Sequence, residues 1–143
     1  MVEESNRVSI DEEIEYTRNL LSSVSSQLDR IQMAMAEIVT TIDVLTNLKS
    51  AAASEGKISI GSGLFVRAEI KDSDTVIFPI GSGVFREEKR EAAIEKLNAN
   101  LKELSASSET LRLRRKELEG RVNALGTIYS QMLQQQSGNQ QNV

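Results

Sequence analysis

Two short stretches have the residue types and spacing of a ligand loop: IGSGLF from Ile60 to Phe65, and IGSGVF from Ile80 to Phe85, twenty positions later. Glycine-rich loops of this sort can turn successive backbone N–H groups toward a phosphate. The spacing does not support that chemistry here. A Walker loop needs Gly-x-x-x-x-Gly-Lys-Ser/Thr, and a dinucleotide fingerprint needs a third glycine where Val66 and Arg86 stand. Each Gly-Ser-Gly reads instead as a tight turn between strands, where glycine supplies the positive φ that short hairpin loops demand.

Other candidates for chemistry are few. The 143 residues contain no Cys and no His, which removes thiolate ligands, cysteine nucleophiles, the commonest metal ligand and the commonest general base. The acidic cluster Asp11, Glu12, Glu13 and Glu15 falls in the first turns of an expected helix, where carboxylates face the helix dipole favourably. Nothing beside it forms a pocket, so no catalytic, cofactor-binding or metal-binding residue is assigned.

The run Arg112-Leu113-Arg114-Arg115-Lys116, with leucines at 118 and 125, imitates a basic-region zipper. Glu117 and Glu119 follow at once, the leucine heptads already run upstream from Leu97, and the Asn and paired Ala of a basic region are missing. The run reads as a solvated helical face. A net charge of -4 also argues against a nucleic-acid or anionic-membrane partner. With no apolar run near 18 residues and no basic-then-apolar leader, a soluble cytoplasmic protein is expected.

The elements that would position any site are legible in the hydrophobic periods. Ile14, Leu21, Leu28, Met35, Ile42 and then Lys49 recur every seven residues, with Thr17, Val24, Ile31, Ile38, Leu45 and Ala52 three positions after each. That is an a/d seam over more than five heptads, the pattern of a coiled coil. Ser9 and Glu12 have capping-box spacing at its start and Gly56 marks its end, giving a first helix over about 9–55.

A second arm over 87–133 repeats Leu97, Leu104, Leu111, Leu118, Leu125 and Met132, with Ile94, Leu101, Ser108, Arg115, Val122 and Tyr129 on the accompanying positions. Ser108 and Arg115 interrupt that seam as register-setting or snorkelling residues. At 1.5 Å per residue each arm would run to about 60 Å, and such equal lengths predict an antiparallel pair. Three Phe, two Tyr and no Trp would leave a large globular core short of bulky fillers, which fits elongated packing better. The stretch 134–143 is low-complexity and reads as a mobile tail.

Between the arms, 57–86, the period changes from seven to two. Leu64, Val66, Ala68 and Ile70 alternate with Phe65, Arg67 and Glu69, and Thr75 to Phe78 is rich in β-branched and aromatic residues. Two hairpins follow, joined by Lys71 to Asp74. Hairpins with apolar alternate residues and no covering helix leave edges open, so the segment is expected to complete itself on other subunits, closing a sheet or barrel. The residues assigned to that assembly are Ile60, Gly61, Gly63, Phe65 and Val66 in the first hairpin. In the second they are Ile77, Phe78, Pro79, Ile80, Gly81 and Gly83.

Helix, two glycine-turned hairpins and helix, with ISIGSGLF ending at Phe65 and VIFPIGSGVF ending at Phe85, resembles the alpha-class subunits of the prefoldin family, most like the archaeal forms. The likeness covers about residues 10–133, and the second hairpin is what points to the alpha rather than the beta class. The first repeat departs from it, with Ser59 where the second has Pro79. The resemblance implies a hexamer of two alpha and four beta subunits, whose hairpins form a double β-barrel from which six coiled coils hang. It also implies an ATP-independent holdase, not an enzyme, that captures unfolded polypeptides at the coil tips and passes them to a group II chaperonin.

On this chain the tips are the start of the first arm and the end of the second. Ile10, Ile14, Leu20 and Leu21, with Ile128, Met132 and Leu133, supply more apolar surface than a two-helix seam hides and are the expected client-binding residues. Tyr16 and Tyr129 lie beside them, and Ile14 and Tyr129, on the seam, serve closure of the coil. A coiled-coil scaffold that never holds a client would share this architecture and stands as the alternative.

Overall fold

The protein's computed structural model describes residues 1–140. Its elements run α1 (Val2–Thr46), α2 (Leu48–Ala52), β1 (Gly56–Gly61), β2 (Leu64–Ala68), β3 (Thr75–Gly81), β4 (Val84–Lys89) and α3 (Arg90–Gln140). The chain is mainly helical, with a long helix on either side of two small antiparallel hairpins. It divides into two compact units, one of Met1–Gln32 with Ala106–Val143, the other Met33–Ser105.

In the first unit the heptad positions are the covered ones. Ile14, Thr17 and Leu28 on α1 are buried, as are Ser108 and Leu118 on α3, and the seam residues between them, Leu21, Val24, Leu111 and Arg115, are half-buried. Leu28, only 2% exposed, is the largest apolar side chain fully enclosed. Thr17 satisfies its buried hydroxyl within its own helix by donating to the Glu13 carbonyl at 2.7 Å. Ser108 is buried and Arg115 half-buried, so both interruptions of the second seam lie on it. Arg121 bridges to Glu13 across the two helices.

Both helices outrun their expected ends. α1 begins at Val2, so Ser9 lies inside it and caps nothing, while Glu3 and Glu4 occupy the first turn beside the dipole. α3 continues through Gln134 to Gln140, whereas Gln141, Asn142 and Val143 lie outside the described residues. Extending an existing helix adds one hydrogen bond for each residue fixed, and glutamine is a good helix former, so a polar end propagates what a patternless sequence would not nucleate. The covered rows extend too: Arg7 and Ile10 precede Ile14, and Gln136 follows Met132.

The second unit holds the largest departure. The helix is interrupted at Asn47, whose side-chain amide donates to the Asp43 carbonyl at 2.9 Å and to the Asp43 carboxylate at 3.2 Å. Beyond that break the half-buried residues are Leu48 and Ala52, while Lys49 is exposed and pairs with Asp74 at 3.3 Å. The seam therefore steps from Leu45 to Leu48 instead of Lys49. A three-residue step keeps leucine on the covered side and leaves the ammonium in water.

Each hairpin turns through Gly-Ser-Gly with three successive positive φ values. They are 104°, 51° and 76° at Gly61, Ser62 and Gly63, and 111°, 52° and 73° at Gly81, Ser82 and Gly83. Positive φ at both central residues is the primed turn that matches strand twist. The register slips between Ser59 and Gly61 and again between Pro79 and Gly81, so Ile60 and Ile80 are each left as the extra residue of a bulge.

Candidate functional site

Two surfaces stand out, one in each unit. On the hairpins, Ile58 faces Val66 and Ser59 faces Phe65 in the first pair; Ile77 faces Glu87, Phe78 faces Arg86 and Pro79 faces Phe85 in the second. The two pairs are separate two-stranded sheets. Ile60, Phe65, Val66, Ile77 and Ile80 are all exposed, as are Pro79 and the turn glycines Gly61, Gly63, Gly81 and Gly83. Ile58, Leu64, Val84 and Phe85 belong to the same exposed apolar set.

Phe78 differs from its neighbours. It is half-buried, and Lys96 Nζ lies 5.3 Å from its ring centre, a cation–π contact from the first turns of α3. The same Lys96 bridges to Glu88, which also receives Arg86. Hydrogen bonding from Lys96 first, and then from Arg86, holds the Glu88 carboxyl below its ordinary range. Ala93 in α3 is completely enclosed. One face of the second hairpin is thus anchored to the start of α3, and the face bearing Ile77 is left open, with Ile77 72% exposed.

Asp72 orders the connector. Its carboxylate accepts from the Asp74 N–H at 2.8 Å, the Thr75 N–H at 3.2 Å and the Thr75 hydroxyl, and the Thr75 hydroxyl is the main reason its pKa is lowered. Arg90 is a positioning residue that sequence patterns do not reveal. Its guanidinium donates to the Leu45 carbonyl at 3.0 Å, near the C-terminal end of α1, a helix with no basic residue in its own last turn. Nothing local marks it, because donor and acceptor lie 45 positions apart.

In the first unit, the expected client residues divide by exposure. Ile14 is buried, and Ile10, Leu20, Leu21 and Met132 are half-buried; Ile128 and Leu133 are exposed, together with Tyr16. Val8, absent from the expected set, is exposed as well. Arg7 and Met132 line a groove with Glu3, Gln135 and Gln136. The three arginines of the basic run pair with glutamates of their own helix: Arg112 with Glu109 at 3.9 Å, Arg114 with Glu117 at 3.0 Å and Arg115 with Glu119 at 3.7 Å. Among the described residues, no helix is long and apolar enough to cross a membrane.

Comparison with known proteins places this architecture. The family model described as prefoldin subunit matches residues 17–135. A prefoldin subunit alpha of Thermoplasma acidophilum is 40% identical over 121 residues, covering 85% of this chain and 91% of that protein. A prefoldin subunit alpha of Pyrococcus horikoshii is 29% identical over 116 residues, covering 80% of this chain and 78% of its own length. A solved filamentous PFD from Methanocaldococcus jannaschii superposes with a TM-score of 0.69 at 18% identity, covering 81% of this chain and 97% of that one. At that identity the likeness speaks for the fold.

Proposed function

Because the chain belongs to the prefoldin family, on the side of its alpha subunits, we propose that it is the alpha component of a hetero-oligomeric, ATP-independent holdase. The family is one of chaperone subunits that assemble into oligomers. It is not a known family of enzymes. In this reading the hairpins join beta-class partners in an alpha2 beta4 hexamer through a shared β-barrel. The helix ends capture unfolded polypeptides and release them to a group II chaperonin.

The observation that carries the proposal is the exposed apolar surface remaining in both units after the coil has closed over its seam. On the hairpins, exposed apolar side chains accompany short two-stranded sheets that are only marginally stable alone. At the helix ends, Tyr16, Ile128 and Leu133 are exposed, and half-buried Met132 supplies a flexible thioether beside them. Scattered apolar contacts of this kind are weak singly, and several ends acting on one client multiply them. A scaffold without client capture would use the hairpins but has no use for exposed apolar helix ends.

The test is light scattering from a chemically unfolded protein diluted into buffer with the assembled complex and no nucleotide. Near-stoichiometric complex is expected to suppress aggregation, and Ile128→Ser with Leu133→Ser is expected to weaken that protection while leaving assembly intact. Scattering equal to the blank would leave the family fold standing and remove the holdase function.

A further inference from the structure

The two hairpins repeat one backbone and differ in charge. Each turns through Gly-Ser-Gly at nearly the same three positive φ values, and each carries its bulge at the same place, Ile60 in one and Ile80 in the other. Equivalent residues lie twenty positions apart, so Lys57 and Arg67 correspond to Ile77 and Glu87. Lys57 sits directly opposite Arg67, the one like-charged pair in either ladder, and like charges so placed repel. Arg67 has Glu55 at 3.4 Å, whereas Lys57, Glu87 and Lys89 have no ion-pair partner among the described residues.

The hairpins also differ in which strand can take a neighbour. β3–β4 is held to α3 through half-buried Phe78 and Glu88, and β3 carries Pro79, a residue that sheet edges tolerate and interior strands reject. The edge of that hairpin left for pairing is β4. In β1–β2 every residue from Lys57 to Arg67 is exposed, and Ser59 stands at the proline position, so β1 keeps its backbone donor there. An open edge with exposed apolar residues is a template for another strand. Of the two edges of this hairpin, β2 has its cation already answered by Glu55, and β1 carries the unanswered one.

We infer, resting on the assembly part of the proposed function, that β1 pairs antiparallel with β4 of a second copy of this chain, with Lys57 level with Glu87. The same register sets Glu55 level with Lys89 and Ser59 beside Phe85, and Lys57 then has Arg67 on one side and Glu87 on the other. Each join makes one sheet in the order β2-β1-β4-β3, with the proline strand outermost. Four strands can stand where a lone hairpin is marginal. Each copy offers one β1 and one β4, so the contact repeats about a twofold axis and closes at two chains. Like hairpins are kept apart, because the equivalent register would set Lys57 against Lys57 or Glu87 against Glu87.

The experiment mixes donor-labelled and acceptor-labelled full chain, alone and with beta-class subunits, and reads chain-to-chain energy transfer against concentration. Wild type is expected to give a two-chain species whose association weakens as salt rises. Lys57→Glu is expected to weaken it about tenfold, since a cross-strand attraction becomes a repulsion at both joins, and Glu87→Lys by a similar factor. Mixing the Lys57→Glu chain with the Glu87→Lys chain restores wild-type association, because both joins again bring opposite charges together. Lys57→Glu also gains an opposite charge facing Arg67 in its own hairpin, so circular dichroism should find the single chain folded as before.

A mixture no tighter than either variant by itself overturns the inference. So does a charge swap that succeeds with Arg67→Glu and not with Lys57→Glu, which gives the join to β2. Loss of beta-class subunits by Lys57→Glu while two copies of the chain stay together gives the β1 edge to a different subunit and also overturns it. In a separate scattering measurement, a two-chain core that obeys the charge swap yet leaves an unfolded protein to aggregate removes the holdase reading and supports the pairing.

Discussion

Ile77→Lys separates the stability of the single chain from that of the assembly. Ile77 is 72% exposed and sits directly opposite Glu87. In the chain alone, lysine removes little buried area and gains an opposite-charge cross-strand pair, worth about 0.2–1 kcal/mol. Its folding should be unchanged or slightly firmer. In an assembly that covers this face the balance reverses. Full burial of an isoleucine is worth about 1.5–3 kcal/mol, and because most of the side chain is still exposed, roughly 1–2 kcal/mol of that is unrealised until a partner covers it.

Lysine forfeits that gain and adds the desolvation of an ammonium, several kcal/mol for a charge without a full set of partners. The total, about 3 kcal/mol or more, corresponds to at least a hundredfold weaker association. Circular dichroism melts of the chain and sedimentation velocity of the mixture with beta-class subunits measure the two effects apart. A variant that assembles with wild-type affinity would show that the Ile77 face stays in water. A variant that unfolds alone would show that the exposed reading of β3 is wrong.

Two further outcomes follow from the local geometry. Gly81→Ala meets no atom within 4 Å, yet φ is +111°, so the cost is backbone strain of about 1–2 kcal/mol, seen as loss of hairpin stability in hydrogen exchange with the helices unaffected. Glu88, whose carboxyl is held below its ordinary value near 4.5 by Lys96 and Arg86, binds its proton more weakly folded than unfolded. Its stabilising contribution is complete above about pH 4.5 and is lost as pH falls through the depressed folded value. Thermal melts should therefore show Glu88→Gln less stable than wild type at pH 7 and the difference closing in acid; a difference independent of pH would remove the ion-pair account.

Most of the fold is readable from period alone, because each element's pattern follows from local geometry. A seven-residue repeat keeps one stripe covered, and every expected seam position from Ile94 to Met132 is among the covered residues of α3. Period-two alternation and paired glycines place both turns at the observed positions, since positive φ is a property of three residues and needs no distant partner. The same locality misplaces the ends: Ser9 has capping spacing, yet the helix already begins at Val2, and the glutamines after Leu133 remain helical to Gln140.

Of the candidate sites, composition and pattern identify the hairpin residues and name Ile128 and Leu133, but they do not show which apolar side chains are already occupied. Heptad position already separates Ile14, buried on the seam, from exposed Ile128 off it; Leu20 and Leu133 are both leucines off the seam, yet packing half-buries one and leaves the other exposed. Phe78 and Ile77 are adjacent strand residues, and only the position of Lys96 at the start of α3 decides that one face is held and the other free. Arg90 at the Leu45 carbonyl and the step from Leu45 to Leu48 are decided the same way, by groups distant in sequence. The sequence by itself determines periodicity and turn conformation, which depend on neighbours a few residues away; exposure, capping and charge pairing depend on which surfaces meet, and only the tertiary structure decides them.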